Sequence, residues 1–481
     1  MLAVAVLGLA CDSGPANNDQ PALTREELLN PESCKDCHPK YYREWSGSMH
    51  AYAMKDPVFI AMNKRGQEET NGALGNFCVN CHAPMAVREG AISNFADLST
   101  VPDHLQGVTC YFCHNAVDVG PDHFNANIAI ANDDVMRANI RNPLQPTAHK
   151  VGRSEFHDAT SIKSSMMCGT CHDIVTPAPK SVHLERTLQE YLPSLIAQPG
   201  PSFNSCQTCH MRTGFDEEPV AVSTGREGEI TARRPVHEHL FPAVDVSLTD
   251  DMPHQPAMRA AVEACELANS LSFVTLSREG PINYKVELET QAAHNQPSGA
   301  TQDRRMWVEI LGYDAAGAQV FDYGLVGEGQ SEGKTPETHP CMFRDVARDE
   351  TGKEVHMFWE ATNQPVPNVT DSILLQPATA ASVDHTKRCE FRVGARVERF
   401  VVTVKMRPVS VDVLNDLVGT GHLDAAVIQR MPTFMVTQRE FQLDAAANNY
   451  TETAVSPSDC STYQCLLNPD PNSTACKVSS M

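Results

Sequence analysis

Apolar and polar residues are patterned differently in the two halves of this 481-residue chain. In the second half apolar positions recur at every second residue, over residues 271–276, 286–290, 306–311, 320–323, 397–406 and 433–443. That period marks half-buried strands. The clearest run puts Phe400, Val402, Val404 and Met406 on one face and Val401, Thr403 and Lys405 on the other. Asp314-Ala315-Ala316-Gly317 reads as a hairpin turn, and residues 413–418 as a short helix. Short strands separated by turns predict an immunoglobulin-like β-sandwich over residues 241–448.

The first half has no such period. Residues 31–215 read as short helices and loops. Tyr41, Tyr42, Trp45, Met49 and Tyr52 fit one aromatic-rich helix, and the Asn-rich stretch 125–142 fits a surface loop. Residues 12–30 are polar and read as a tether, 216–240 as a linker, and 449–481 as a Ser/Pro/Asn-rich, cysteine-containing tail. The expected class is α+β and multidomain: a mostly helical and loop-rich unit, then the sandwich.

The chemistry explains how the first unit can lack an ordinary core. Five Cys-x-x-Cys-His motifs lie between residues 34 and 210: Cys34-Cys37-His38, Cys78-Cys81-His82, Cys110-Cys113-His114, Cys168-Cys171-His172 and Cys206-Cys209-His210. In this spacing two thiols bond covalently to the vinyl groups of a haem, and the adjacent His gives the iron its proximal ligand. Chance would supply far fewer than one such motif. Disulfides or zinc knuckles are the competing use of such cysteines. The expectation is five covalently bound haem c groups, whose porphyrins supply much of the buried apolar surface.

Composition adds the compartment. Six of the 17 cysteines (Cys265, Cys341, Cys389, Cys460, Cys465 and Cys476) lie in the second half, outside the motifs. An even number predicts disulfides in an oxidising compartment, as covalent haem does. The apolar opening MLAVAVLGLAC resembles a bacterial lipoprotein signal, residues 1–11, with Leu9-Ala10-Cys11 ending a lipobox. The expected location is the periplasm or cell surface, with a lipid anchor at Cys11 holding the protein to a membrane. The net charge of −22 argues against nucleic acid and suits a basic redox partner, an outer-membrane complex or an external acceptor.

Fourteen of the 19 histidines lie outside the motifs and compete for the distal face of each iron. A haem with His on both faces passes electrons; one with an open face binds small molecules. His50 follows His38 by twelve residues, roughly 18 Å if helical, so it reaches a different haem. His123, nine residues after His114, is a second candidate. His149 precedes the fourth motif, and His237 and His239 follow the fifth. His104, His157 and His183 are weaker candidates.

Cys34-Lys35-Asp36-Cys37-His38 through Trp45 and Ser48-Met49-His50-Ala51 resembles the cytochrome c-554-like multihaem family, as do Cys78-Val79-Asn80-Cys81-His82-Ala83-Pro84 and Gly107-Val108-Thr109-Cys110. The resemblance implies that His50 pairs with His114, that His123 pairs with His38, and that the haem on His82 can lack a distal ligand. Ala293-His294-Asn295-Gln296-Pro297-Ser298-Gly299 resembles a Gly-His-x-x-Pro-x-Gly segment of β-sandwich domains appended to multihaem cytochromes, which makes His294 a further ligand candidate.

Three functions remain open at this point. One is an exported pentahaem electron carrier in a respiratory or extracellular chain. The second is a multihaem oxidoreductase acting on a small nitrogen compound, and the third a structural subunit of a larger haem wire. All three predict that the mass of the purified, denatured protein exceeds its polypeptide mass by five haems. A smaller excess removes the motif assignment.

Overall fold

The computed structural model describes residues 22–140, 148–177, 180–211, 237–252, 258–260, 262–267, 270–334, 341–362 and 374–455. Cys11, Cys460, Cys465 and Cys476 lie outside them, so the lipobox and three of the spare cysteines do too. Among the described residues, no helix is long and apolar enough to cross a membrane.

The first half is built from short helices, each started by a local device. Thr24 and Glu27 form a reciprocal capping box at helix Arg25–Leu29. Asp56 accepts from the Val58 and Phe59 amides, with Pro57 behind it, and starts the 13-residue helix Pro57–Glu69. The expected aromatic helix divides in two, Pro39–Ser46 and Met49–Tyr52, at Gly47-Ser48.

Three two-stranded sheets lie between the helices: β1 (Ala116–Val119) with β2 (Ile128–Ile130), β3 (Val135–Ala138) parallel to β4 (Lys150–Arg153), and β5 (Asp173–Val175) with β6 (His183–Arg186). The Asn-rich stretch is therefore not simply a surface loop, because it holds β2 and β3. Its asparagines replace missing ladder bonds. Asn125 pairs by its side chain with the Val175 backbone in both directions, at 2.7 and 2.9 Å. Buried Asn115 receives the Asn132 amide at 2.6 Å and donates to the Val135 carbonyl at 3.2 Å.

The second half is two antiparallel sheets sharing one hydrophobic core. The smaller has the order β12-β8-β7, from β7 (Leu271–Arg278), β8 (Asn283–Thr290) and β12 (Lys387–Arg392). The larger runs β10-β9-β13-β14-β15, from β9 (Arg305–Tyr313), β10 (Gln319–Tyr323), β13 (Arg399–Arg407), β14 (Phe434–Asp444) and β15 (Asn449–Val455), with β11 (Met342–Phe343) also on β9. Along β8, Tyr284, Val286, Leu288 and Thr290 are buried in alternation. Phe400, Val402, Val404 and Met406 of β13 enter the same core. Val401 and Thr403 are also buried, so this central strand is covered on both faces. The Cys341–Cys389 disulfide joins the residue before β11 to β12, stapling one sheet to the other. Cys265 is also disulfide-bonded. The Asp314–Gly317 turn joins β9 to β10, with Gly317 at φ 81° and the Asp314 carboxylate accepting two amides.

Two boundaries move. Residues 449–455 are not tail: they form β15, anchored by Tyr450, whose hydroxyl donates to the Val397 carbonyl at 2.6 Å. Residues 237–240 are not linker either, since Glu238 and Leu240 are buried.

The halves are packed together. Val58 and Ala61 of helix Pro57–Glu69 share a core with Leu248, Met357, Val411, Leu414 and Leu417. Beside it lies a buried ion pair, Arg407–Glu332 at 2.7 Å. Glu332 also accepts from Ser410 Oγ and the Val411 amide, which holds the start of helix Val411–Gly419 against the sandwich. Removing one partner of such a pair strands the other charge without solvent. Glu332→Ala is expected to cost about 3–5 kcal/mol of unfolding free energy, measured by denaturant titration. A loss within experimental error would mean that Arg407 is rescued by water.

Candidate haem-binding site

Each motif is one helical turn. The His amide bonds to the carbonyl of the first Cys in the first, second and fourth motifs, at 2.7, 3.3 and 3.1 Å. The third and fifth motifs are the helices Cys110–His114 and Cys206–His210, the latter capped by Ser205. Residues i, i+3 and i+4 share a helix face, so two thiols and an imidazole point the same way. Nine of the ten motif cysteines stand outside any disulfide. Cys37 departs from expectation: it is disulfide-bonded, and one sulfur cannot also carry a thioether until that bond is reduced. Burial pushes the Cys78 and Cys113 thiols up to about 12, so they stay protonated at neutral pH.

The imidazoles form pairs. The ring centroids of His38 and His149 are 6.3 Å apart, those of His50 and His172 6.2 Å, those of His114 and His239 6.2 Å, and those of His210 and His294 6.3 Å. Two imidazoles bound to one metal at about 2 Å each hold their centroids about 6 Å apart. Direct stacking brings rings nearer, as at His114 and His157, 5.0 Å apart. Four motif histidines thus face a second histidine across a gap that fits an iron. His82 does not. Its ring neighbour is Phe59, stacked at 3.9 Å and 10°, and among the described residues no second imidazole faces it.

In five of these histidines the other ring nitrogen fits the same use, while the buried Nδ1 of His239 has no hydrogen-bond partner among the described residues. Nδ1 contacts a backbone carbonyl in His82 (Ala53, 2.8 Å), His114 (Arg137, 2.6 Å), His210 (Pro242, 2.9 Å), His149 (Lys150, 3.0 Å) and His294 (Asn295, 2.8 Å). A carbonyl on Nδ1 fixes the tautomer and leaves the Nε2 lone pair for a metal. His157 is the reverse, with Nε2 on the Cys113 carbonyl at 3.1 Å. Burial holds it neutral, its pKa lowered to about 3.

These pairs correct what the family resemblance implied. His50 faces His172, not His114, and His149 rather than His123 faces His38. The His123 loop lies elsewhere, since the Asn125 and Ala126 amides bond to the Asp173 and Thr170 carbonyls beside the fourth motif. His237 sets its Nδ1 on the Met211 carbonyl at 2.6 Å and, among the described residues, faces no motif histidine.

Contacts between motif thiols set the order in space. The Cys34 thiol lies beside that of Cys110, Cys81 beside Cys171, and Cys168 beside Cys206. Cys113 lies within electrostatic reach of Cys168 and Cys171. The first motif thus adjoins the third, the third adjoins the fourth, and the fourth also adjoins the second and fifth.

Comparison with known proteins bears on the family and the fold. Residues 33–115 match the family described as cytochrome c554 and c-prime. The fold is similar to the crystal structure of a penta-haem cytochrome c552 from Thermochromatium tepidum, with a TM-score of 0.57 and 19% identity over 86% of this chain and 98% of that one. Such coverage extends the likeness beyond the motif region into the sandwich. No curated protein matches the chain.

The facing pairs predict that His149→Ala and His239→Ala each convert one low-spin ferric signal to high-spin in the paramagnetic resonance spectrum, with all haems still attached. His123→Ala is expected to leave the spectrum unchanged. The opposite result would restore the pairing that the resemblance implied.

Proposed function

We propose that this chain, a multihaem c-type cytochrome by its motifs and family match, carries electrons through five haem c groups in an exported respiratory or extracellular chain. Each haem c supplies a one-electron ferric/ferrous couple when bound. The observation that carries the reading is the set of four imidazole pairs at 6.2–6.3 Å. In it His38 with His149, His172 with His50, His114 with His239, and His210 with His294 would each hold one iron between them, and a haem so held would supply outer-sphere electron transfer. His123 and His237 fall outside the proposed ligand set.

The thiol contacts support a route from the first motif through the third to the fourth, where it divides toward the second and the fifth. Two of its three ends reach the surface: Lys35 and Asp36 in the first motif and Cys209 in the fifth are exposed, whereas Val79 in the second and Tyr111, Phe112, Gly169 and Thr170 are buried. The acidic surface suits a basic redox partner, and an anchor at Cys11 would hold the protein at a membrane. The strand orders support an immunoglobulin-like sandwich, β7-β8-β12 against β10-β9-β13-β14, with β15 added at the edge. Its part is to supply His294 and cover the fifth motif.

A second reading rests on His82. Among the described residues no second imidazole faces His82, so the second motif would offer an open coordination position at the end of a branch. That would suit reduction or oxidation of a small nitrogen compound, fed by the other four centres.

Both readings are tested on the oxidised and dithionite-reduced protein. The expected result is four low-spin signals, one high-spin signal, and carbon monoxide binding at one haem per chain. The His50/His172 planes cross at 56°, against 18° for His114/His239 and His210/His294, so that pair should give the most axial low-spin signal. Fewer than four low-spin centres defeats the carrier reading. Carbon monoxide binding at none defeats the open site at His82.

A further inference from the structure

We infer that helix Pro57–Glu69 is a positioning element through which the appended β-rich half sets the orientation of the His82 imidazole, with Phe59 as the positioning residue. The inference rests on the reading of His82 as an axial ligand. It begins with the two contacts that fix this ring. The Ala53 carbonyl holds Nδ1 at 2.8 Å, and Phe59 lies parallel to the ring plane at 3.9 Å and 10°. Together they stop rotation about the bond to Cβ. Both come from one short stretch, because Ala53 ends helix Met49–Tyr52 and Phe59 is in the first turn of the next helix.

The other end and the opposite face of helix Pro57–Glu69 are held by the second half. Arg65 Nη1 donates to Asp416 at 3.1 Å, and His356 Nδ1 lies 3.2 Å from the same carboxylate. Glu69 accepts from Trp359 Nε1 at 2.7 Å, and Glu68 meets His422 Nε2 at 2.9 Å. Gly66 lets the helix lie flat against that side: a Cβ there would stand 2.6 Å from Leu74 and 3.0 Å from Trp359. Val58 and Ala61 enter the core they share with Val411, Leu414 and Leu417, while Phe59 packs on the cluster around Val79, Ala83 and Met85 of the second motif. One helix therefore joins two cores. A rigid helix converts displacement at Arg65–Glu69 into displacement of Phe59, about 10 Å away along the axis.

The test uses the full haem-loaded chain and reads the iron–histidine stretching band of the reduced protein by resonance Raman spectroscopy, together with carbon monoxide rebinding after photolysis. Phe59→Leu keeps most of the volume and removes the planar contact. The expected result is a shifted or broadened band and a several-fold change in rebinding rate, with the four low-spin signals unchanged. Phe59→Tyr should restore the wild-type band. Trp359→Ala, which removes the contact of the second half with Glu69, should move the same band in the same direction. An unaltered band in Phe59→Leu overturns the positioning role. A shift in Phe59→Leu with none in Trp359→Ala overturns the link to the second half. If the unmodified protein shows neither band nor carbon monoxide binding, the open-site reading has failed on its own. The same variants are then judged by the low-spin g values of the haem on His82, which depend on imidazole orientation, and unchanged g values overturn the inference.

Discussion

The rest of the structure depends on a gap. Four pairs of imidazoles are held at 6.2–6.3 Å, too far for contact and suited to one shared metal. Each pair joins residues more than 80 positions apart. Closing loops of that length is costly in chain entropy, and helices of four to eight residues with two-stranded sheets are marginal alone. In the proposed function, an iron held from both faces would repay that cost, much as disulfides do in small secreted domains. The local devices in the first half follow from this. Capping boxes, Pro at the helix start and Asn side chains in place of ladder bonds satisfy the backbone without needing long elements.

The sandwich depends on the same gap. His294 lies before β9, in a loop held by the first half: Glu190 accepts from the Asn295 amide at 3.2 Å and from Ser298 Oγ at 2.6 Å. Burial raises the Glu190 pKa, a cost its two donors partly offset. Tyr52 accepts from the Leu248 amide. The second half thus packs as part of one framework with the first, and the structural likeness spans 86% of the chain.

How much of this was legible depends on whether the determining chemistry is local. A Cys-x-x-Cys-His turn is complete within five residues, so its role is written in spacing. The strands of the sandwich are nearly as plain, because alternation on β8 and β13 is imposed by one core. Distal partners are set by three-dimensional closure. The length argument separated His50 from His38, and its ring faces His172, but nothing in the spacing distinguishes His172 from His114. Strand β15 was hidden because only Tyr450 among its first six residues is large and apolar. Helix Pro57–Glu69 was hidden because it serves two cores and its apolar residues fall on two faces.

The fourth motif shows how packing selects the residues between the cysteines. In the first motif these are Lys35 and Asp36, exposed at an end of the route. In the fourth they are Gly169 and Thr170, both buried. A Cβ on Gly169 would stand 2.4 Å from Leu188 Cδ2 and 2.9 Å from its Cβ, so only glycine permits helix Thr187–Tyr191 to cross this close. Thr170 donates to the Met167 carbonyl, and its own carbonyl accepts from Ala126 in the His123 loop. The motif that adjoins three others is therefore the one whose intervening positions have lost their freedom. Any larger residue at 169 would part helix Thr187–Tyr191 from the junction, and with it Glu190, whose carboxylate holds the His294 loop. The geometry of the branch point and that of the fifth motif are fixed by the same contact.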